Sequence, residues 1–122
     1  ITIELMTDNM QESIDFYTNI LSFKTKIVHP KTHPFFISLE NNNVEIMIYS
    51  REEFSKEIPK FKDMKIGGTV ALFIEVNNIK ELYNRVKDNV SIIQELHDTD
   101  YGTTEFSIED NNGYILMFNQ KN

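Results

Sequence analysis

The chain has 122 residues, 40% apolar and 25% charged, with nine Phe and five Tyr, enough for one compact domain or two small modules sharing a core. It has no cysteine, which excludes disulfides, thiolate metal sites and a cysteine nucleophile. A net charge of −7 with only two arginines, Arg51 and Arg85, argues against nucleic acid, and every apolar run is strand-sized, which argues against a membrane span or a signal peptide and leaves the cytoplasm as the expected compartment.

Ile1 to Met6 alternates strictly and reads as a half-buried strand. Thr7, Asp8 and Asn9 are helix-start residues, with Glu12 at capping-box spacing from Asn9. Met10, Ile14, Tyr17 and Leu21 fall on one helical stripe, so a helix is expected to end near Leu21-Ser22. Phe23 to Val28 reads as a strand, and His29 to Pro34, with two prolines, as a loop. Phe35 to Leu39 and Val44 to Tyr49 flank an Asn-rich turn and complete a β-α-β-β-β module over residues 1–50. Residues 51–67 read as a charged linker, with Phe54, Ile58 and Phe61 at helical spacing inside it.

The order then repeats over residues 68–122. Val70 to Val76 is an expected strand, and Asn77-Asn78 should cap a helix with Ile79, Leu82, Tyr83 and Val86 on its apolar stripe. Val90 to Leu96, Thr103 to Ile108 and Tyr114 to Phe118 are the remaining strands. Asp110-Asn111-Asn112-Gly113 reads as a tight turn before the last strand, with Asn-Gly supplying the positive φ. Asn41 to Tyr49 echoes this stretch, Met47 aligning with Met117, and Asn9 aligns with Asn78 at nearly the same offset.

Ser13-Ile14-Asp15-Phe16-Tyr17-Thr18 with Leu21-Ser22-Phe23, then Tyr101-Gly102, Glu105-Phe106 and Asp110-Asn111-Asn112-Gly113, occur in an order and spacing that resembles the vicinal oxygen chelate superfamily. That superfamily includes glyoxalases, extradiol dioxygenases and bleomycin-resistance proteins. The resemblance covers essentially the whole chain. It implies an α+β fold of two tandem β-α-β-β-β modules forming paired half-barrels, within one glyoxalase/bleomycin-resistance-like domain. It also implies a homodimer with clefts built between modules.

In metal-using members of the family the ligands come from the first and last strands of each module. Carried over, those positions are Thr2, Met47, Ala71 and Met117. Thr, Ala and thioether sulfur do not suit a hard or borderline divalent ion, so neither a metal nor another cofactor is expected, and no catalytic residue is assigned. His29, His33 and His97 lie in loops on this reading. His97, beside Asp98 and Asp100, could act as a general base at a pocket mouth or be a solvated loop histidine.

Alternation puts Ile3, Leu5, Val44, Ile46, Ile48, Val70, Leu72, Ile74, Val76, Leu116 and Phe118 on one face, toward the helices. The other face is mixed and supplies the candidate ligand-binding residues Glu4, Met6, Glu45, Met47, Tyr49, Phe73, Glu75 and Met117, with Tyr101 at the rim. Two readings stay open: the apolar members only fill the half-barrel while the glutamates sit in water, or the face binds a small molecule. The binding reading is the leading one: a metal-free protein close in look to the bleomycin-resistance branch, with a role in antibiotic resistance, sequestering an amphipathic or cationic ligand in an apolar, carboxylate-rimmed cleft. Its rivals are a metal-dependent lyase or dioxygenase, and a metal-free isomerase using a cleft carboxylate as base.

Overall fold

A computed structural model describes residues 1–122, which divide into two compact units, 1–66 and 67–122. The first unit runs β1 (Ile3–Thr7), α1 (Met10–Asp15), β2 (Lys24–His29), β3 (Phe36–Asn41), β4 (Val44–Ser50) and α2 (Arg51–Glu57), then a 3-10 turn, Pro59–Asp63. The second runs β5 (Ala71–Glu75), α3 (Ile79–Val86), β6 (Ser91–Asp98), β7 (Thr103–Glu109) and β8 (Ile115–Lys121). Each unit holds a four-stranded sheet of the same topology, β1-β4-β3-β2 and β5-β8-β7-β6, in which the first strand pairs in parallel with the last and the other pairs are antiparallel. The repeat in the sequence is thus a repeat in space: Met47 lies opposite Glu4, and Met117 opposite Phe73.

In the first unit, Asn9 is extended and its side chain accepts a hydrogen bond from the Glu12 N–H at 3.1 Å, the cap that the sequence called for. Behind the cap, the Thr7 and Ser13 hydroxyls bond to each other at 2.8 Å in a buried spot. The helix then widens over Phe16–Ile20, which lets both Phe16 and Tyr17 turn inward. The buried stripe is therefore Ser13, Phe16, Tyr17 and Leu21, while Met10 and Ile14 are only half-buried. Ser22 leaves the helix at φ +61°, and Asn41 at the end of β3 donates to the Leu21 carbonyl at 3.1 Å, covering an acceptor the helix leaves open. Leu5, Ile37, Leu39, Ile46 and Ile48 are buried with Tyr17, Leu21 and Phe23, and each such side chain contributes roughly 1.5–3 kcal/mol.

Residues 51–66 fold as part of this unit. Ser50 caps α2, and Phe54 on its buried side stacks between Tyr49 and Phe61, at 5.0 and 4.6 Å between ring centroids. Arg51 holds the segment in place: it forks onto Asp8 at 2.7 and 3.1 Å and donates to the carbonyls of Phe61, Lys62 and Met64.

In the second unit, Asn78 takes the left-handed conformation (φ +57°) and makes no side-chain cap. The Ile79 N–H donates instead to the Gln120 side chain on β8 at 2.8 Å, so the start of α3 is fixed by the neighbouring strand rather than by Asn77-Asn78. Ile79 and Val86 bury against a core that includes Phe106, Ile108, Leu116 and Phe118. Val70, expected in that core, lies before β5 and is exposed. The turn before β8 has one positive φ, at Gly113 (+84°), and is built on Asp110, whose Oδ1 accepts the N–H groups of Asn112 and Tyr114 at 2.8 and 2.9 Å. It is an Asp-centred turn rather than a two-residue hairpin.

Candidate ligand-binding site

On the first unit, five of the residues expected from the sequence share one face of the sheet. Glu4 lies opposite Met47 and Met6 opposite Tyr49, with Glu45 one step further along β4. β3 adds Ser38 beside Met47 and Phe36 beside Tyr49. Around Tyr49 the rings of Phe35, Phe36 and Phe54 approach at 6.0, 5.6 and 5.0 Å, and His29 stands edge-on to Phe35 at 5.3 Å. Loop 29–35, β3, β4 and α2 thereby build an aromatic cluster that has Tyr49 at its centre.

The carboxylates on this face differ in how they are held. Glu45 accepts from the Ser38 hydroxyl at 3.0 Å and pairs with Lys26 at 3.4 Å, so its charge is already answered. Glu4 has neither a hydrogen bond nor a cation. Burial, then the repulsion of Glu57 on α2, raises its pKa above the ordinary glutamate value. The Tyr49 hydroxyl is pushed up too, by burial first and then by Glu57, Glu53 and Glu4. Three carboxylates therefore act on one aromatic ring, opposed more weakly by Lys56. Sequence reading found Glu4 and Tyr49 from strand alternation but missed Glu53 and Glu57, which come from a segment read as a linker; the helical spacing of Phe54, Ile58 and Phe61 was the available signal.

On the second unit, Phe73 lies opposite Met117 and Glu75 opposite Asn119 on the corresponding sheet face. Phe73 is 61% exposed, and Glu75 pairs with Lys121 at 3.3 Å near the strand end. Tyr101, on the β6–β7 turn, donates its hydroxyl to Glu105, which lies 3.1 Å away through either carboxylate oxygen. Sequence reading used Glu105 only as part of the Glu105-Phe106 family motif and did not assign it to the site; the fold buries it. His97 is on β6, not in a loop, and its Nδ1 faces the Glu95 carbonyl at 2.7 Å.

The first unit also has a polar groove of about 690 Å³ lined by residues that include Thr7, Asp8, Arg51, Lys56 and Asp63. Arg51 is fully engaged there in holding the chain together, and Lys56 pairs with Glu53 at 2.7 Å, so its cations mostly serve the fold.

The donor set does not fit the divalent metal that enzymes of this fold use. Ala71 offers no ligand atom, Met47 and Met117 offer only soft sulfur, and no three His, Asp or Glu side chains come together elsewhere in the chain.

Three comparisons place the chain. The family model described as Glyoxalase/Bleomycin resistance protein/Dioxygenase superfamily matches residues 2–118. Among solved structures, TioX from Micromonospora sp. ML1 superposes with a TM-score of 0.81 at 17% identity, over 100% of this chain and 98% of that one. A protein of unknown function from Agrobacterium tumefaciens str. C58 superposes with a TM-score of 0.82 at 15% identity, over 100% and 93% of the two chains. A glyoxalase/bleomycin resistance protein/dioxygenase from Nocardioides reaches a TM-score of 0.79 at 17% identity, over 98% and 81%. At these identities the likeness is one of fold, and no curated protein matches by sequence. From the family match along nearly its whole length and the fold its neighbours share, the chain belongs to the glyoxalase/bleomycin resistance protein/dioxygenase superfamily.

Proposed function

We propose that this protein binds a small organic cation with an apolar body on the Glu4–Tyr49 face of its first unit, and holds it without converting it. The observation that carries the reading is Glu4, a carboxylate with no cation of its own beside an aromatic ring that Glu53 and Glu57 also act on. Such a set is poorly satisfied alone, because like charges repel and partial burial disfavours the charge on Glu4. A cation relieves both costs. Its charge balances the carboxylates and its body packs on Tyr49 and Met47, where a cation over an aromatic face gains about 0.5–2 kcal/mol. The misfit of metal ligands at Thr2, Met47, Ala71 and Met117 supports binding over metal-dependent lyase or dioxygenase chemistry.

The test is a calorimetric titration with benzyltrimethylammonium against neopentylbenzene, a neutral molecule of the same shape. The cation should bind at least about tenfold more tightly, worth about 1.4 kcal/mol, and should weaken with added salt. Equal affinity for both would sink the proposal. A second reading rests on the raised pKa of Glu4, which also suits a general base. Glu4→Gln separates the two: a base variant loses turnover and keeps binding, whereas here binding itself should fall. We further propose that the protein acts as a homodimer, supported by the exposed apolar side chains of Val70, Phe73 and Ile93, and checked by sedimentation equilibrium.

A further inference from the structure

The second unit carries a polar row that the cation site does not use. Glu75, Asn119, Glu105 and His97 lie side by side across β5, β8, β7 and β6 in direct register. Neighbours in register point to the same face, with Cβ atoms about 4.5–5.5 Å apart. The two central members, Asn119 and Glu105, are each only 2% exposed.

Asn119 is the anomaly in the row. Its Nδ2 is buried and makes no hydrogen bond, although carboxylates lie in register on both sides of it. Those carboxylates are engaged elsewhere. Glu105 Oε1 accepts from the Thr103 hydroxyl at 2.8 Å, the Tyr101 hydroxyl lies 3.1 Å from both Glu105 oxygens, and Glu75 pairs with Lys121. His97 turns its Nδ1 to its own strand, toward the Glu95 carbonyl. A buried amide donor left open costs roughly 1–3 kcal/mol, and native proteins keep few of them.

We propose that Asn119 and Glu105 form a recognition site for an amide group. The ligand carbonyl accepts from Asn119 Nδ2, and the ligand N–H donates to Glu105. An open donor beside a carboxylate acceptor selects a group that presents an acceptor and a donor on one carbon, as the oxygen and nitrogen of an amide are. A carboxylate ligand would meet the Glu105 charge, and an amidinium would leave Asn119 Nδ2 unanswered. Tyr101 is the gate: it is 68% exposed, stands on the turn that contains Gly102 (φ +89°), and its hydroxyl occupies the position on Glu105 that the ligand N–H would take. Entry exchanges one hydrogen bond to Glu105 for another and adds one to Asn119. Phe73 and Met117, next along the same face, supply apolar surface for the rest of the molecule.

The experiment is an NMR titration of the full chain, labelled with nitrogen-15, with benzamide, benzoate and benzamidinium as matched probes. Read at the Asn119 side-chain NH₂ resonances, benzamide should bind at least about tenfold more tightly than either charged probe; benzamidinium seated at the Glu4–Tyr49 face should leave those resonances unmoved. Asn119→Leu and Glu105→Gln should each weaken benzamide about tenfold or more. Asn119→Leu also removes the open donor, so its urea midpoint should stay level or rise. Three results would overturn the proposal: no shift at Asn119 with benzamide, equal binding of the three probes at Asn119, or an Asn119→Leu chain that loses stability while wild type ignores benzamide. The last would mean that Nδ2 serves the fold alone. The wild-type titration decides the matter even if neither variant folds. A failure of the cation site would leave this result untouched, because none of the contacts read at Asn119 involves Glu4 or Tyr49.

Discussion

Replacing Asp110 with alanine should destabilise the second unit by about 2–4 kcal/mol, through loss of acceptors for two backbone N–H groups and not through loss of packing. Asp110 is 6% exposed, and its Oδ1 takes the N–H groups of Asn112 and Tyr114 at 2.8 and 2.9 Å. A hydrogen bond to a charged group contributes about 1.5–3 kcal/mol net, and two that share one oxygen, partly open to water, should together fall short of twice that. Against a total stability of about 5–15 kcal/mol the loss is large. The turn launches β8, the strand that pairs with both β5 and β7 and carries Met117 and Asn119, so its loosening should disturb that whole sheet face. Urea unfolding followed by far-UV circular dichroism measures the loss as a shift in midpoint at constant slope. Asp110→Asn is the control: its side-chain oxygen can keep both bonds at lower strength, so it should cost less than half as much as alanine. An alanine variant within about 0.5 kcal/mol of wild type, as for an ordinary surface change, would refute the Asp-centred account of the turn.

Asn9→Ala should cost about 1 kcal/mol, read from the same urea curves, because it removes the side-chain acceptor for the Glu12 N–H. Two carboxylates should show opposite pH signatures. Glu4 has its folded pKa raised by burial and by Glu57, so the stability tied to its proton is complete below the unfolded pKa and is lost as pH rises through the folded one. Glu4→Gln should therefore stabilise the fold slightly at neutral pH, and the gain should fade in acid. Asp8 is lowered chiefly by its hydrogen bond to Arg51, so its contribution is present above the unfolded pKa and disappears as pH falls through the depressed one. Asp8→Asn should destabilise at neutral pH by less than about 1 kcal/mol, since the carboxylate is largely solvated, and the difference should close on acidification. Thermal melts across pH 2 to 8 would show both; curves that move in the same direction would contradict these assignments.

Much of the architecture is local and so could be read from the sequence. The Asn9 cap and the alternation of β1 and β4 depend on residues close in the chain, and the Met47–Met117 echo is a repeat visible in the sequence itself. Two copies of one unit then carry the same parallel register twice, Glu4 against Met47 and Phe73 against Met117, although which strands pair was not read from the sequence. What was illegible depends on partners distant in sequence. Nothing near Asn78 shows that Gln120 will answer the start of α3, and nothing near Glu45 shows that Lys26 will pair with it. Glu105 escaped for a sharper reason: a lone glutamate in a strand reads as solvent-facing, and only Tyr101, Thr103 and the neighbouring strands make burial tolerable. Glu53 and Glu57 escaped because α2 reads as linker until Phe54 is seen to stack on Tyr49.

The most direct measurement of the cation-binding account is the titration of Glu4 itself, by carbon-13 NMR of its carboxyl, with and without saturating benzyltrimethylammonium. In the free protein Glu4 should titrate above the ordinary glutamate value, raised by partial burial and then by Glu57. A cation seated beside it favours the ionised form, so the bound protein should titrate distinctly lower, and affinity should weaken as pH falls through that transition. A Glu4 titration that stays unmoved while the cation binds would place the ligand elsewhere and contradict the account.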